Sequence, residues 1–166
     1  MANVTLGGTP VETISNLPKV GTKAPSFQLT STDLSTKSIV DYKDHRLVLN
    51  IFPSVDTDTC AQSVRTFNEK ASALENTKVL CISKDLPFAL KRFCGAEGID
   101  NVESLSDYKT GEFGKTYGLT FKTGPFETLH SRCVVVIDKD GTILHTEQVK
   151  EIADEPNYQA ALDALN

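Results

Sequence analysis

The chain has 166 residues, 39% apolar and 23% charged, and its 17 basic and 22 acidic side chains give a net charge of −5. This length supports a core without disulfide bonds, and an acidic chain lacks the basic surface that nucleic acids and anionic membranes select. No apolar run approaches the roughly 18 residues of a membrane span, and residues 1–8 lack the basic and apolar segments of an export signal. The sequence therefore predicts one cytoplasmic domain over residues 1–166, without membrane or nucleic-acid partners.

Turn residues and apolar periodicity predict an alternation of strands and helices. Gly7 and Gly8 separate two segments of strand composition, which predicts an N-terminal hairpin. The apolar run 46–52 stops at Pro53, which is typical of a central buried strand. The further predictions are, in order, a helix over 61–74, a strand over 77–82, a helix over 85–95, a short helix over 110–117, strands over 131–138 and 142–149, and a helix over 156–165. This order favours an α/β thioredoxin-like fold, in which helices flank a central mixed sheet and the hairpin lies at the N-terminus.

The first helix is predicted to begin next to a cysteine. Thr59 and Gln62 fit a capping box, and Thr57 or Asp58 could cap instead. Each alternative places Cys60 in the first turn, where free backbone N–H groups and the helix dipole favour a thiolate. A thiolate there is an activated nucleophile. A cysteine packed under the turn is the structural alternative, and this context alone leaves both open.

The second helix carries another cysteine. Asp85 is predicted to cap it, with Pro87 in its first turn. Gly95 is predicted to end it, so Cys94 is expected in the last turn, the part of a helix most prone to fray.

The four cysteines, Cys60, Cys81, Cys94 and Cys133, lack both a Cys-x-x-Cys spacing and the clustering of a zinc site, so no metal is predicted. Cys81 and Cys133 lie inside apolar strand segments, and we expect both to be buried packing residues. Because side chains alternate along a strand, Cys133 is expected to point away from the face that Arg132 occupies.

The segment Pro53-x-x-x-Thr57-x-x-Cys60 resembles the Pro-x-x-x-Thr/Ser-x-x-Cys signature of the peroxiredoxins. The wider pattern, with FALKRFCG at 88–95 and Arg132 before an apolar strand, is similar to the bacterial thiol peroxidase subfamily over essentially the whole chain. The resemblance implies an enzyme of antioxidant defence, a thiol-specific peroxidase that reduces hydrogen peroxide and organic hydroperoxides to water and alcohols. It implies no cofactor and suggests a homodimer.

The resemblance also implies a role for each matched residue. Cys60 would be the peroxidatic cysteine, which becomes a sulfenic acid when its sulfur attacks a peroxide oxygen. Thr57 and Arg132 would contact the thiolate and the attacked oxygens, and Pro53 would shape and dry the pocket. Cys94 would be the resolving cysteine, and its intramolecular disulfide with Cys60 would be reduced by thioredoxin.

Other functions use some of the same residues. A disulfide reductase of this fold would need a second cysteine where Thr57 stands. A cysteine hydrolase would need a histidine base, for which His130 is the candidate because it is expected on the same strand face as Arg132, two residues away. A redox sensor would use the same two cysteines without turnover. The apolar residues of loop 118–129 are expected to pack on the domain, to favour organic hydroperoxides or to form a dimer contact.

Overall fold

The computed structural model describes residues 1–166 as strands and helices that alternate along most of the chain. The elements are β1 (Asn3–Leu6), β2 (Thr9–Glu12), β3 (Gln28–Ser31), β4 (Thr36–Ser38), a 3₁₀-helix (Ile39–Tyr42), β5 (Arg46–Ile51), α1 (Asp58–Ala71), β6 (Thr77–Ser83), α2 (Pro87–Glu97), β7 (Glu103–Ser106), α3 (Glu112–Thr116), β8 (Cys133–Ile137), β9 (Ile143–Gln148) and α4 (Tyr158–Asp163). Each helix is too short or too polar to cross a membrane.

A seven-stranded sheet has the order β4-β3-β7-β6-β5-β8-β9. Strands β5, β6 and β7 are parallel, whereas β8 pairs antiparallel with β5 and β9 with β8. The predicted mixed sheet is therefore confirmed. Strands β3, β4 and β7 were not predicted from the sequence, because they are three or four residues long and partly polar.

Helices cover both faces of the sheet, so the central strands are buried on both sides. Helices α1, α2 and α4 pack over one face through apolar side chains that include Val64, Leu90 and Ala161. Helix α3 packs over the opposite face through Phe113. Neighbouring residues of β5 therefore point to opposite faces of the sheet. Val48 packs on the face covered by α1, α2 and α4, whereas Leu47 and Leu49 pack on the face covered by α3.

The N-terminal hairpin forms where the two glycines predicted it. Gly7 and Gly8 have φ of 59° and 81°. A two-residue hairpin turn of this kind requires such left-handed values at both of its central residues. Strands β1 and β2 then place Val4 and Val11 on one side, where they pack against Ile152 and the 118–129 loop. The hairpin is thus attached to the rest of the molecule by its apolar face.

That packing decides between the alternatives for the 118–129 loop. Phe121 is buried with the hairpin valines, and Phe126 and Leu129 pack against the same cluster. The apolar side chains of the loop therefore pack on the domain.

The boundaries of the two cysteine-bearing helices differ from the prediction. The residue before α1 is Thr57, so neither Thr59 nor Asp58 caps it, although Thr57 itself was an open alternative. Leu86, rather than Asp85, precedes α2, and this helix continues past Gly95 to Glu97. It ends at Gly98, which has φ of 66° and donates its N–H to the Cys94 carbonyl. A left-handed glycine ends a helix, whereas a glycine in helical conformation does not.

Candidate active site

Cys60 lies in the first turn of α1, as the sequence predicted. Strand β5 runs into buried Phe52 and Pro53, and the chain then turns through residues 54–57 into the helix. The first helical hydrogen bond runs from the Ala61 N–H to the Thr57 carbonyl. The Cys60 side chain is 0% exposed, so the sulfur lies at the positive end of the helix without contact with bulk water.

Arg132 brings a buried positive charge to this sulfur. Its Nη2 lies 3.4 Å from Cys60 Sγ. Nε and Nη2 also donate to the Ile152 carbonyl at 3.0 and 2.9 Å, which fixes the plane of the guanidinium. The third nitrogen, Nη1, is buried and has no partner. A buried donor without a partner is costly, and here it remains free for an oxygen that enters the site.

Thr57 occupies the position before α1 without capping it through its side chain. Its hydroxyl donates to the Ser54 carbonyl at 3.1 Å, and its backbone N–H donates to the same oxygen at 3.1 Å. Because the hydroxyl hydrogen is used in this way, the Thr57 oxygen is left as an acceptor.

Cys94 lies on α2, in the same core layer as Cys60. It is half-buried, and its sulfur lies 3.3 Å from Ser104 Oγ. Burial raises the pKa of the Cys94 thiol above its ordinary value, while the hydrogen bond with Ser104 partly offsets this effect. All four cysteines are free, so the structure describes the dithiol form.

The other two cysteines are buried packing residues, as predicted. Burial raises the pKa of Cys81 and of Cys133 to about 12, so neither forms a thiolate at neutral pH. Cys133 belongs to the layer opposite the one that contains Cys60, which confirms that it points away from the site.

His130 does not reach Cys60. Its Nε2 lies 2.9 Å from Asp107 Oδ2, and both side chains are buried. Its ring packs at 5.8 Å from that of Phe113, in the layer opposite Cys60. Strand β8 begins only at Cys133, so the alternation assumed for residues 130 and 132 does not hold there. A cysteine hydrolase would therefore lack its base.

Two side chains that support the site were not recognised from the sequence. Asp85 accepts hydrogen bonds from Ser54 and Val55 in the turn before Cys60. Glu151 holds the segment whose next residue, Ile152, accepts from Arg132. The sequence contains no local signal for either role, because Ser54, Val55 and Thr5 are all distant along the chain from the carboxylate that they contact.

Known proteins resemble this chain over nearly its whole length. Residues 19–162 match the Redoxin family model. The chain is 53% identical over 165 residues to a thiol peroxidase of Mycobacterium tuberculosis, covering 99% of each chain. It is 50% identical over 166 residues to a thiol peroxidase of Corynebacterium glutamicum, covering 100% of each.

Solved structures share the fold. A peroxiredoxin-like protein from Aquifex aeolicus has a TM-score of 0.92 at 35% identity, covering 98% of this chain and 95% of the other. A thiol peroxidase from Chromobacterium violaceum has a TM-score of 0.88 at 21% identity, with 98% and 94% covered, and this likeness concerns the fold alone. The family match and the sequence identity show that the chain belongs to the redoxin family as a peroxiredoxin-type thiol peroxidase.

Proposed function

We propose that this peroxidase works through Cys60 and Cys94 with thioredoxin as its reductant. The Cys60 thiolate attacks the terminal oxygen of a hydroperoxide; an S–O bond forms, the O–O bond breaks, and the second oxygen leaves and takes up a proton as water or an alcohol. The Cys94 sulfur then attacks the sulfenic acid and releases water, which leaves a disulfide. Thioredoxin supplies two electrons and two protons to restore both thiols.

The contact between Arg132 and Cys60 carries this proposal. A guanidinium 3.4 Å from the sulfur stabilises the thiolate before the reaction. As the O–O bond breaks, negative charge moves to the departing oxygen, and the unpartnered Nη1 is available to donate to it. Such stabilisation is strongest in a buried site, where water does not screen the charges.

Thr57 and Pro53 are proposed to complete the site. The Thr57 oxygen, left as an acceptor by its bond to Ser54, can receive the peroxide O–H and orient the molecule for attack. Pro53 is buried at the end of β5 and has no N–H to donate, so it lines the site without adding a competing polar group.

We expect both helices to move when Cys94 resolves the sulfenic acid. A disulfide needs the two Cα atoms within about 7 Å, and these cysteines lie within regular turns of different helices. Both belong to one core layer, which supports their meeting once a turn of each helix opens.

We further propose that residues 1–166 act as one domain, that the enzyme is a homodimer and that it is cytoplasmic. The apolar packing between the hairpin and Ile152 supports the single domain. The exposed apolar side chains of Leu86 and Phe88 support contact with a second copy, which sedimentation equilibrium would test. A cycle that returns to free thiols suits a reducing compartment.

The mechanism is tested with three serine variants. Turnover is followed as NADPH consumption with thioredoxin, thioredoxin reductase and hydrogen peroxide. Cys60→Ser is expected to abolish turnover, because a serine hydroxyl forms no anion near neutral pH. Cys94→Ser is expected to consume one equivalent of peroxide and stop as a sulfenic acid that excess peroxide converts to sulfinic acid. Cys133→Ser, on the opposite face of the sheet, is the matched control and is expected to lower stability but retain turnover.

Mass spectrometry of the oxidised parent protein completes the test. A single disulfide between Cys60 and Cys94 within one chain is the expected product. Retained turnover in Cys60→Ser would refute the mechanism. A bridge between chains, or a bond from Cys60 to another cysteine, would refute only the assignment of Cys94.

A further inference from the structure

Asp85 joins the turn before Cys60 to the end of the neighbouring strand. One carboxylate oxygen accepts from Ser54 Oγ at 2.7 Å. The other accepts from the Val55 N–H at 2.7 Å and from Ser83 Oγ at 2.6 Å. The Asp85 carbonyl also accepts a hydrogen bond from the Ser106 hydroxyl. The carboxylate thus holds two consecutive residues of the active-site turn against the ends of the parallel strands.

The held residue, Ser54, is the one that orients Thr57. The Ser54 carbonyl accepts both the hydroxyl and the backbone N–H of Thr57. The position of the Thr57 oxygen therefore depends on Ser54, and the position of Ser54 depends on Asp85. No hydrogen bond joins Asp85 directly to Thr57, Cys60 or Arg132, so its effect on the reaction has to pass through the turn.

We infer that Asp85 is a positioning residue for peroxide attack, acting through Ser54 on Thr57; this inference rests on the proposed role of Thr57. A carboxylate accepts hydrogen bonds and donates none, so the Ser54 hydroxyl and the Val55 N–H both point toward Asp85. Without these bonds the turn gains conformational freedom. The Thr57 oxygen then spends less time in the position from which it accepts a hydrogen bond from the peroxide O–H. A small misplacement of an orienting group is enough to slow a reaction greatly.

The location of Asp85 extends this role to the second half of the cycle. Asp85 stands just before Leu86, the residue at the start of the helix that carries Cys94. Its backbone thus leads into α2 while its side chain holds the turn before α1. We expect these bonds to hold the turn before α1 and the start of α2 in a fixed relative position in the dithiol form.

The test compares two aspartates that make the same kind of contact. Asp85→Asn keeps the shape of the side chain but puts an amide donor where a carboxylate oxygen accepted. Asp33→Asn is the matched control, because Asp33 accepts from the N–H and the hydroxyl of Ser35 in an exposed turn outside the site. The quantity measured is the second-order rate of Cys60 sulfenic acid formation, by rapid quench and mass spectrometry. We expect a loss of about tenfold for Asp85→Asn and no loss for Asp33→Asn.

A double-mutant cycle separates positioning from stability. If Asp85 acts through Thr57, Asp85→Asn costs little further rate in a Thr57→Val background, so the two effects are not additive. Equal losses in both backgrounds would overturn the inference, and so would a lower melting temperature with an unchanged rate.

The single variants separate this inference from the role proposed for Thr57. Loss of rate in Thr57→Val together with no loss in Asp85→Asn would overturn only this inference. An unchanged rate in Thr57→Val would instead overturn the role proposed for Thr57, and with it this inference.

Ser54 provides an independent measurement that does not require Asp85 to be changed. Ser54→Ala removes the hydroxyl that Asp85 holds, whereas Ser54→Thr keeps one. We expect Ser54→Ala to lose rate to a similar extent as Asp85→Asn, and Ser54→Thr to recover most of it. Equal rates in the two Ser54 variants would contradict the proposed route through this hydroxyl.

Discussion

Arg132 divides its donors between the Ile152 carbonyl and the Cys60 sulfur. Two nitrogens bind the Ile152 carbonyl, and one of these also faces Cys60. A planar guanidinium can do both because its N–H groups are fixed in one plane. The side chain is only 2% exposed, so its charge acts on the sulfur with little screening by water.

Arg132→Lys tests whether geometry as well as charge is required. An ammonium group cannot make the paired contact with Ile152 and also reach Cys60, so we expect the rate of peroxide reduction to fall about 100-fold. If this rate matches that of the parent protein, Arg132 is a structural residue only.

At the scale of elements, the N-terminal hairpin supports the segment that holds Arg132. Glu151 accepts hydrogen bonds from the Thr5 hydroxyl at 2.7 Å and from the N–H groups of Gly7 and Gly8 at 3.0 and 3.1 Å. The next residue, Ile152, packs under the hairpin and presents its carbonyl to Arg132. A small antiparallel pair outside the main sheet thereby contributes to the order of the site.

This attachment is expected to depend on pH. The Thr5 hydroxyl and the glycine N–H groups favour the carboxylate and lower the pKa of Glu151 from 4.5 to about 2. A pKa that is lower in the folded than in the unfolded state stabilises the fold above about 4.5, and this contribution is lost as the pH falls toward about 2.

Melting temperatures of the parent and of Glu151→Gln, measured against pH, check this expectation. The variant should be less stable at neutral pH, and the difference should shrink as the pH falls between those two values. Glu127→Gln is the control, because the Glu127 side chain is exposed and makes no hydrogen bond. A difference that is constant with pH would show that Glu151 does not act through its charge.

At the scale of the whole molecule, exposed ion pairs lie beside the buried apolar layer between the two helices that the proposed disulfide would join. Ion pairs between Arg65 and Glu97, and between Arg92 and Asp56, connect α2 to α1 and to the turn before it. Exposed pairs of this kind contribute at most about 1 kcal/mol each. The central strands β5 and β8, in contrast, are almost completely buried. We therefore expect the ends of the two helices to open more readily than the central strands of the sheet.

Hydrogen exchange should reveal this division after one equivalent of peroxide. Amide exchange is expected to rise at 57–64 and 90–98, around the two bonded cysteines, while 134–137 in β8 stays protected. The Cys94→Ser variant, which cannot form the disulfide, should show no such rise. Loss of protection across β8 would mean that oxidation loosens the whole fold rather than two helix ends.

The sequence by itself determined the helix start that carries Cys60, because this local conformation depends on neighbouring residues. A buried strand, Pro53 and the start of a helix follow one another directly, so Cys60 in the first turn could be read from contiguous residues. The hairpin at Gly7 and Gly8 and the central strand were predictable for the same reason. Strands β3, β4 and β7 were not, because short polar strands form only when neighbouring strands offer them hydrogen bonds.

Only the tertiary structure decided which distant groups surround that segment. Arg132 lies 72 residues from Cys60 and was identified through resemblance; the antiparallel pairing of β5 with β8 brings it there. Asp85 stands where local rules predict a helix cap, yet its carboxylate holds the active-site turn. His130 was predicted on the face of Arg132, but it pairs with Asp107 in the other layer. Spacing along a chain specifies local conformation, whereas the partners of a polar side chain depend on which elements pack together.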